Sequence, residues 1–254
     1  MNLDQTYYYT LWFIFGFSVF TFFGSFFYIT PYGRFKKPDE KFVIESRLGW
    51  LIMESPCLLA CATTFFASGG HSQALVPLVF LGIWQTHYFY RAIIFPLRMR
   101  DRGKPMPVAA VATGVIFNTI NGFLNGYAFT HSAHLLDSAW LTAPWFVIGV
   151  ITMIVGVSIN INSDNILRNL RAPGETGYRI PRGGLYRWIS VPNYFGEIVE
   201  WTGLAIAAHT PATLSFALFT TANLLPRALA HHKWYKEKFA DYPADRKAVI
   251  PFIL

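Results

Sequence analysis

The sequence predicts an all-α fold. It is that of a polytopic membrane protein, a bundle of seven transmembrane helices with the N-terminus outside and the C-terminus in the cytoplasm. Three observations predict it. Of 254 residues, 53% are hydrophobic, 18% aromatic and only 14% charged, where a soluble domain carries about 25% charged residues. The apolar residues gather into stretches close to the ~20 needed to cross a bilayer as a helix. Lysine and arginine occupy alternate connections only, which is the positive-inside pattern.

The first span is expected over Tyr7–Ile29, after an N-terminus that carries Asp4 and has no basic region, and so reads as a retained span, not a cleaved signal. The second runs from Trp50 to Ser68, the third from Leu75 to Leu97, the fourth from Val108 to Phe129 and the fifth from Trp140 to Ile159. Two shorter or more polar segments follow, Tyr194–Ala208 and Ala212–Leu229. Of the 21 lysines and arginines, all but Arg91 lie after the first, third and fifth spans or from the end of the seventh, at Arg227, into the C-terminal tail. The N-terminus and the connections GGHSQ, THSAHLLDSA and HTPA contain none. The net charge of +7 is thereby explained as topology, with room for an anionic ligand, and a nucleic-acid partner loses its main support. No internal repeat divides the chain, so residues 1–254 read as one membrane-embedded domain, without an obligatory protein partner.

Ionisable and amide side chains at membrane depth are expensive and mark function by default. Glu54 lies near the start of the second span; Gln85, Tyr88 and Arg91 share a face of the third, and Asn118, Asn121 and Asn125 a face of the fourth. Gln85, Arg91, Asn118 and Asn121 are expected to line a substrate site; the asparagines serve equally well as hydrogen-bonding glue between helices. Cys57 and Cys61, one turn apart, read as packed thiols.

The C-terminal third is denser. Asn160, Asp164, Arg168 and Arg171 form one stripe if the fifth helix continues beyond its span; Asn193, Glu197 and Glu200 form a second, and Arg227, His231 and Tyr235 a third. The loop APGETGYRIPRGGLYRW, with Tyr178 and Arg179, joins them into a basic cup on the cytoplasmic side. Such a cup suits a ligand with several phosphates and polar rings, because arginine forks grip phosphate oxygens; a salt-bridged surface facing anionic lipid suits it equally. Neither GxGxxG nor GxxxxGK[ST] is present. His231 and His232, adjacent on a helix, point apart, so no metal site is expected.

At these residues the chain resembles the steroid 5α-reductase family. The strongest stretch runs from Asn160 to Leu254 through NINSDNILRNLRAPGETGYRIPRGGLYRWISVPNYFGEIVEWTG, RALAHHKWYKEKFADYP and RKAVIPFIL. MESP around Glu54 and HYFYR around Tyr88 fall where that family has its substrate-site Glu and Tyr. The resemblance implies seven helices, NADPH as cofactor and reduction of the Δ4 double bond of a 3-oxo steroid that enters from the membrane. It implies cofactor contacts for Asn160, Asp164, Arg171, Tyr178, Asn193, Arg227, His231, Tyr235 and Arg246, and a place near the nicotinamide for Glu197. Tyr32 and Arg34 lie in the basic loop where the family also has cofactor-side residues. The family's arginine on the fourth span has no counterpart in VAAVATGVIFNTING, which leaves the preferred substrate open.

On this reading the substrate site comes mainly from residues 1–130 and the NADPH site mainly from 160–254, facing the cytoplasm of a bacterial inner membrane or of the endoplasmic reticulum. Glu54, kept protonated by burial, and Tyr88 would donate to the carbonyl oxygen as it gains charge. Three rivals remain: a reductase of another enone or enoyl lipid (a polyprenol or an enoyl thioester), a membrane methyltransferase, and a seven-helix receptor or transporter.

Overall fold

In the computed structural model, which describes residues 2–30, 33–35, 39–100, 105–170, 175 and 177–254, each expected span falls mainly in helical backbone. The helices are α1 (Leu3–Phe27), α2 (Ser46–Ala67), α3 (Leu75–Phe89), α4 (Phe95–Arg98), α5 (Val108–His131), α6 (Pro144–Asn169), α7 (Pro192–Ala208) and α8 (Pro211–Lys238). A turn of π-helix, Tyr90–Ile94, joins α3 to α4. The helices are joined by a short antiparallel ladder, β1 (Val43–Glu45) on β2 (Pro105–Pro107), with Ile44 opposite Met106.

Among the described residues four helices, α1, α2, α5 and α6, are long and apolar enough to cross a membrane. Their outward faces are what lipid requires: α1 exposes Trp12, Phe20 and Phe23, and α6 exposes Ile148, Ile151 and Ile154. α7 has only 17 residues, and α8 carries Arg227 and a basic last turn. Two boundaries moved for local reasons. α6 starts at Pro144, a residue suited to the first helical position, because Trp140 is taken up in a 3-10 turn capped by Asp137. It also runs ten residues past Ile159, to Asn169, as the polar stripe requires.

The chain divides into two units. The first comprises residues 1–14, 29–143 and 208–213, the second 15–28, 144–207 and 214–254. In the first, α2 and α5 approach closely because α5 presents glycine at the contact. A Cβ on Gly122 would stand 2.7 Å from the Cys57 carbonyl oxygen and 2.9 Å from the Ala60 Cβ. Behind this seam lies an aromatic core in which Phe80 stacks on Phe129 at 5.4 Å and Trp84 packs edge-on against Phe129 at 6.0 Å. Trp84 is fully buried, donates to the Cys57 carbonyl and sits one turn before Tyr88, so the core fixes the height of Tyr88 on α3.

In the second unit, α6 and α7 meet through glycines from both sides. A Cβ on Gly156 would lie 2.3 Å from the Glu200 nitrogen and 2.6 Å from the Gly196 oxygen, and one on Gly203 would lie 2.4 Å from the Met153 nitrogen. Val191, Ala228 and Val249 form a small core that ties the start of α7 to α8 and to the C-terminal segment. That segment is further held by a parallel bridge of Lys247 to Ile189 and by the Ser190 amide on the Lys247 carbonyl at 2.9 Å.

Candidate active site and cofactor cradle

The first unit gathers the polar residues of three helices. Glu54 on α2 is 8% exposed. A charge at that depth needs a partner, and the Arg91 guanidinium lies 3.9 Å from Glu54 Oε1. The π turn carries Arg91 and departs from α-helical register, a device common at functional sites. Arg91 also lies over the faces of Trp50 at 4.5 Å and Phe95 at 4.7 Å, which suits a planar cation in apolar surroundings. Asn118 Nδ2 reaches the Met53 carbonyl at 2.7 Å and Glu54 Oε2 at 3.4 Å.

Tyr88 on α3 is 2% exposed, and Asn121 Nδ2 lies 3.4 Å from its hydroxyl and 3.7 Å from Cys57 Sγ. Glu54, Tyr88, Arg91, Asn118 and Asn121 thus form one cluster. Gln85 is spent elsewhere, its Nε2 donating to the Leu58 carbonyl at 3.0 Å. Cys57, read from the sequence as a packed thiol, is fully buried and belongs to the same cluster.

The second unit joins the C-terminal stripes. Asn160 Nδ2 donates to the Asn193 carbonyl at 3.0 Å, and Asn193 Nδ2 donates to Asp164 at 3.3 Å. The glycine seam lets α6 and α7 come close enough for both bonds, since Gly196 itself lies against Asn160. On α8, Arg227 Nε donates to the Tyr194 hydroxyl at 3.2 Å, and His231 Nε2 lies 3.4 Å from the same oxygen. Tyr235, 2% exposed, stacks on Tyr242 with centroids 5.2 Å apart, and the Arg246 guanidinium stands 5.2 Å from the Tyr242 ring centre.

Arg246 is 5% exposed, and its Nε and Nη1 find no hydrogen-bond partner among the described residues. Asn193 Oδ1 is likewise buried and unpartnered there. Buried polar atoms are almost always satisfied, so a cation and an acceptor left open in the same unit fit a bound anionic, hydrogen-bonding ligand. Close by, Ser190 Oγ is hydrogen-bonded to His232 Nδ1 at 2.6 Å and to the Tyr242 hydroxyl at 2.7 Å. Burial, then Lys236 and Lys247, hold the His232 imidazole below its ordinary value, so it is neutral at pH 7.

Other expected cofactor residues lie at the margins. Glu197 is half-buried one turn beyond Asn193, and Arg168 donates to Asn165 at 2.7 Å. Tyr178 is half-exposed with its edge on Trp234, and Arg179 is exposed and paired to Glu175 at 2.7 Å. Arg34 sits in the turn Gly33–Phe35 of the first unit; Tyr32 and Arg171 lie outside the described residues. Sequence reasoning missed Tyr194 and Tyr242. The first lies on a different face from the Asn193–Glu197 stripe, and the second is in a turn, where no periodicity exists to flag it.

Polar and charged side chains buried among apolar helices in the first unit, and a buried open cation in the second, mark a membrane-type helical enzyme. A profile of the family described as 3-oxo-5-alpha-steroid 4-dehydrogenase matches residues 104–254. The chain is 44% identical over 232 residues to 3-oxo-5-alpha-steroid 4-dehydrogenase 1 of Bos taurus, covering 89% of this chain and 88% of that protein. It is 41% identical over 223 residues to the Homo sapiens protein of the same name, covering 87% and 85%. To Steroid 5-alpha-reductase DET2 of Gossypium hirsutum it is 39% identical over 262 residues, covering 100% of both. The chain belongs to the 3-oxo-5-alpha-steroid 4-dehydrogenase family. It is therefore an oxidoreductase, of a family that works with a nicotinamide cofactor.

Proposed function

We propose that this protein reduces the Δ4 double bond of a 3-oxo steroid with NADPH, giving the 5α-reduced 3-oxo steroid. One observation carries the chemistry: Glu54 and Tyr88 are buried together with Arg91 and the asparagines of α5, a polar cluster inside apolar helices. The relatives named 3-oxo-5-alpha-steroid 4-dehydrogenase support the substrate class.

NADPH would be held by Asn160, Asp164, Asn193, Arg227, His231, Tyr235 and Arg246, with Arg168, Arg171, Tyr178, Arg179, Glu197, Tyr32 and Arg34 contributing at its edges. When bound it supplies the hydride that adds to C5 of the enone. Its extra phosphate favours the arginine-rich cradle over one built for NADH. Negative charge then develops on the C3 oxygen. Tyr88 donates to that oxygen, and Glu54 joins it when protonated, with the Arg91 charge beside them. A proton delivered to C4, from water or through a relay, completes the addition across the double bond. Gln85, Asn118 and Asn121 back this site instead of forming a wall of it, because their amides are bonded to α2 and Tyr88. The apolar outer faces of the helices suit a steroid that arrives from lipid. The seven-span topology, with the cradle in the cytoplasm, is supported by the distribution of lysine and arginine.

The test is NADPH oxidation by detergent-solubilised protein with a panel of 3-oxo-Δ4 steroids, the products identified by mass spectrometry. A 5α-reduced product, and slower turnover with NADH, are expected. Reduction of polyprenols or enoyl thioesters but of no steroid, equal use of NADH, or consumption of S-adenosylmethionine would overturn the reading.

A further inference from the structure

We propose that Asn121 and Asn125 are positioning residues for Tyr88: a backbone carbonyl sets the direction of a short chain of amides, and that chain holds the Tyr88 hydroxyl as a hydrogen-bond donor. This rests on the role of Tyr88 stated above.

The direction follows from chemistry. Asn125 is fully buried, and one end of its amide lies 3.0 Å from the Asn121 backbone oxygen. A carbonyl oxygen only accepts, so that end is the NH2. The same nitrogen lies 2.9 Å from the Asn121 side chain, which must therefore turn its own oxygen towards Asn125. Only the Asn121 NH2 is then left to face the Tyr88 hydroxyl, at 3.4 Å, and Cys57 Sγ, at 3.7 Å. An amide NH2 only donates, so the Tyr88 oxygen accepts and its proton is turned to another partner. Had the row run the other way, the phenol would give its proton to Asn121.

Two further observations agree. The Asn125 Oδ1 is buried without a hydrogen-bond partner among the described residues, so the orientation is not the one that best satisfies Asn125 itself. The Cys57 thiol, a weak acceptor that a substrate oxygen would displace easily, faces the same Asn121 NH2. The row is built on the Gly122 approach of α5 to α2, which brings Asn121 against Cys57.

A double-mutant cycle tests this, with Asn121→Leu, Tyr88→Phe and the pair, reading kcat, KM for a 3-oxo-Δ4 steroid and the Kd of NADPH. Asn121→Leu should lower kcat about five- to tenfold, the worth of one neutral hydrogen bond, and leave the NADPH Kd within about twofold. In the Tyr88→Phe background the same substitution should change kcat less than about twofold, because the hydroxyl it orients is gone. Equal losses in both backgrounds would make Asn121 a packing residue and overturn the proposal while leaving the role of Tyr88 intact. Wild-type turnover by Tyr88→Phe would overturn both. Asn125→Leu, which frees the Asn121 amide to flip, should show a smaller loss with the same dependence on Tyr88. It serves as the readout if Asn121→Leu does not fold.

Discussion

Replacing Arg246 by methionine should move binding and stability in opposite directions. The Arg246 guanidinium is 5% exposed, its Nε and Nη1 lack hydrogen-bond partners among the described residues, and it stands 5.2 Å from the Tyr242 ring centre. Leaving buried donors unpaired costs about 1–3 kcal/mol, and a cation–π contact returns roughly 0.5–2 kcal/mol. Methionine, of similar length and without charge, removes both, so the unliganded protein should melt at the same temperature or slightly higher. With NADPH the same side chain would make charge-assisted bonds to phosphate, worth about 1.5–3 kcal/mol, so Kd should rise by about ten- to 150-fold. At an NADPH concentration of ~100 times the wild-type Kd, the wild type gains about 2.7 kcal/mol from ligand, whereas a variant with ~50-fold weaker binding gains about 0.6 kcal/mol. Thermal unfolding of detergent-solubilised protein with and without NADPH, and a direct titration, read both quantities. A variant that binds NADPH normally but unfolds several kcal/mol more easily would show that Arg246 is a structural cation and refute the reasoning.

Glu54→Gln and Tyr88→Phe should each lower kcat by about 10²–10³-fold and change NADPH affinity little; equal loss of turnover and cofactor binding would argue against their place at the substrate oxygen. Gly156→Ala should destabilise by about 1–3 kcal/mol, because its Cβ would stand 2.3 Å from the Glu200 nitrogen, while Gly82→Ala, with nothing within 4 Å, should be neutral or stabilising. Comparable melting temperatures for the two would contradict the close packing of α6 and α7. His232 lies below its ordinary value near 6.5 in the folded protein, so the unfolded chain binds the proton first as pH falls. Stability should therefore drop as pH falls through about 6.5 and level off below the folded value. The wild type should lose more between pH 7.5 and 5.5 than His232→Gln does, and identical losses would remove His232 from the account.

Much of this arrangement was legible in the sequence, for identifiable reasons. A bilayer demands long apolar stretches, so the helices stood out, and i, i+4 spacing placed Asn160 with Asp164 and Arg227 with His231 on shared faces. What periodicity cannot show is what a face meets. Tyr194 matters because Arg227 and His231 arrive at its hydroxyl from another helix. Arg246 is buried because the chain beyond α8 is pinned to Ile189, a contact with no local signature. Of the amides expected to line a substrate site, that of Asn118 is bonded to the Met53 carbonyl and that of Asn121 to Tyr88. Their direction is set by a backbone oxygen that no reading of side-chain spacing includes.

One signal was present in the sequence and connects packing to chemistry. Gly149 and Gly156 on α6, and Gly196 and Gly203 on α7, are each seven residues apart, about two helical turns, so each pair lines a single face. The structure sets these faces against one another, with Gly156 opposite Gly196 and Gly149 opposite Gly203. Side chains at those positions would force the backbones apart, and the first bonds lost would be those of Asn160 to Asn193 and of Asn193 to Asp164, at the end of the same seam. On the proposed reading, the glycines build the cofactor cradle without contacting a ligand. A substitution such as Gly196→Ala should therefore weaken NADPH binding and lower the unfolding temperature together, the joint loss that Arg246→Met is expected to avoid.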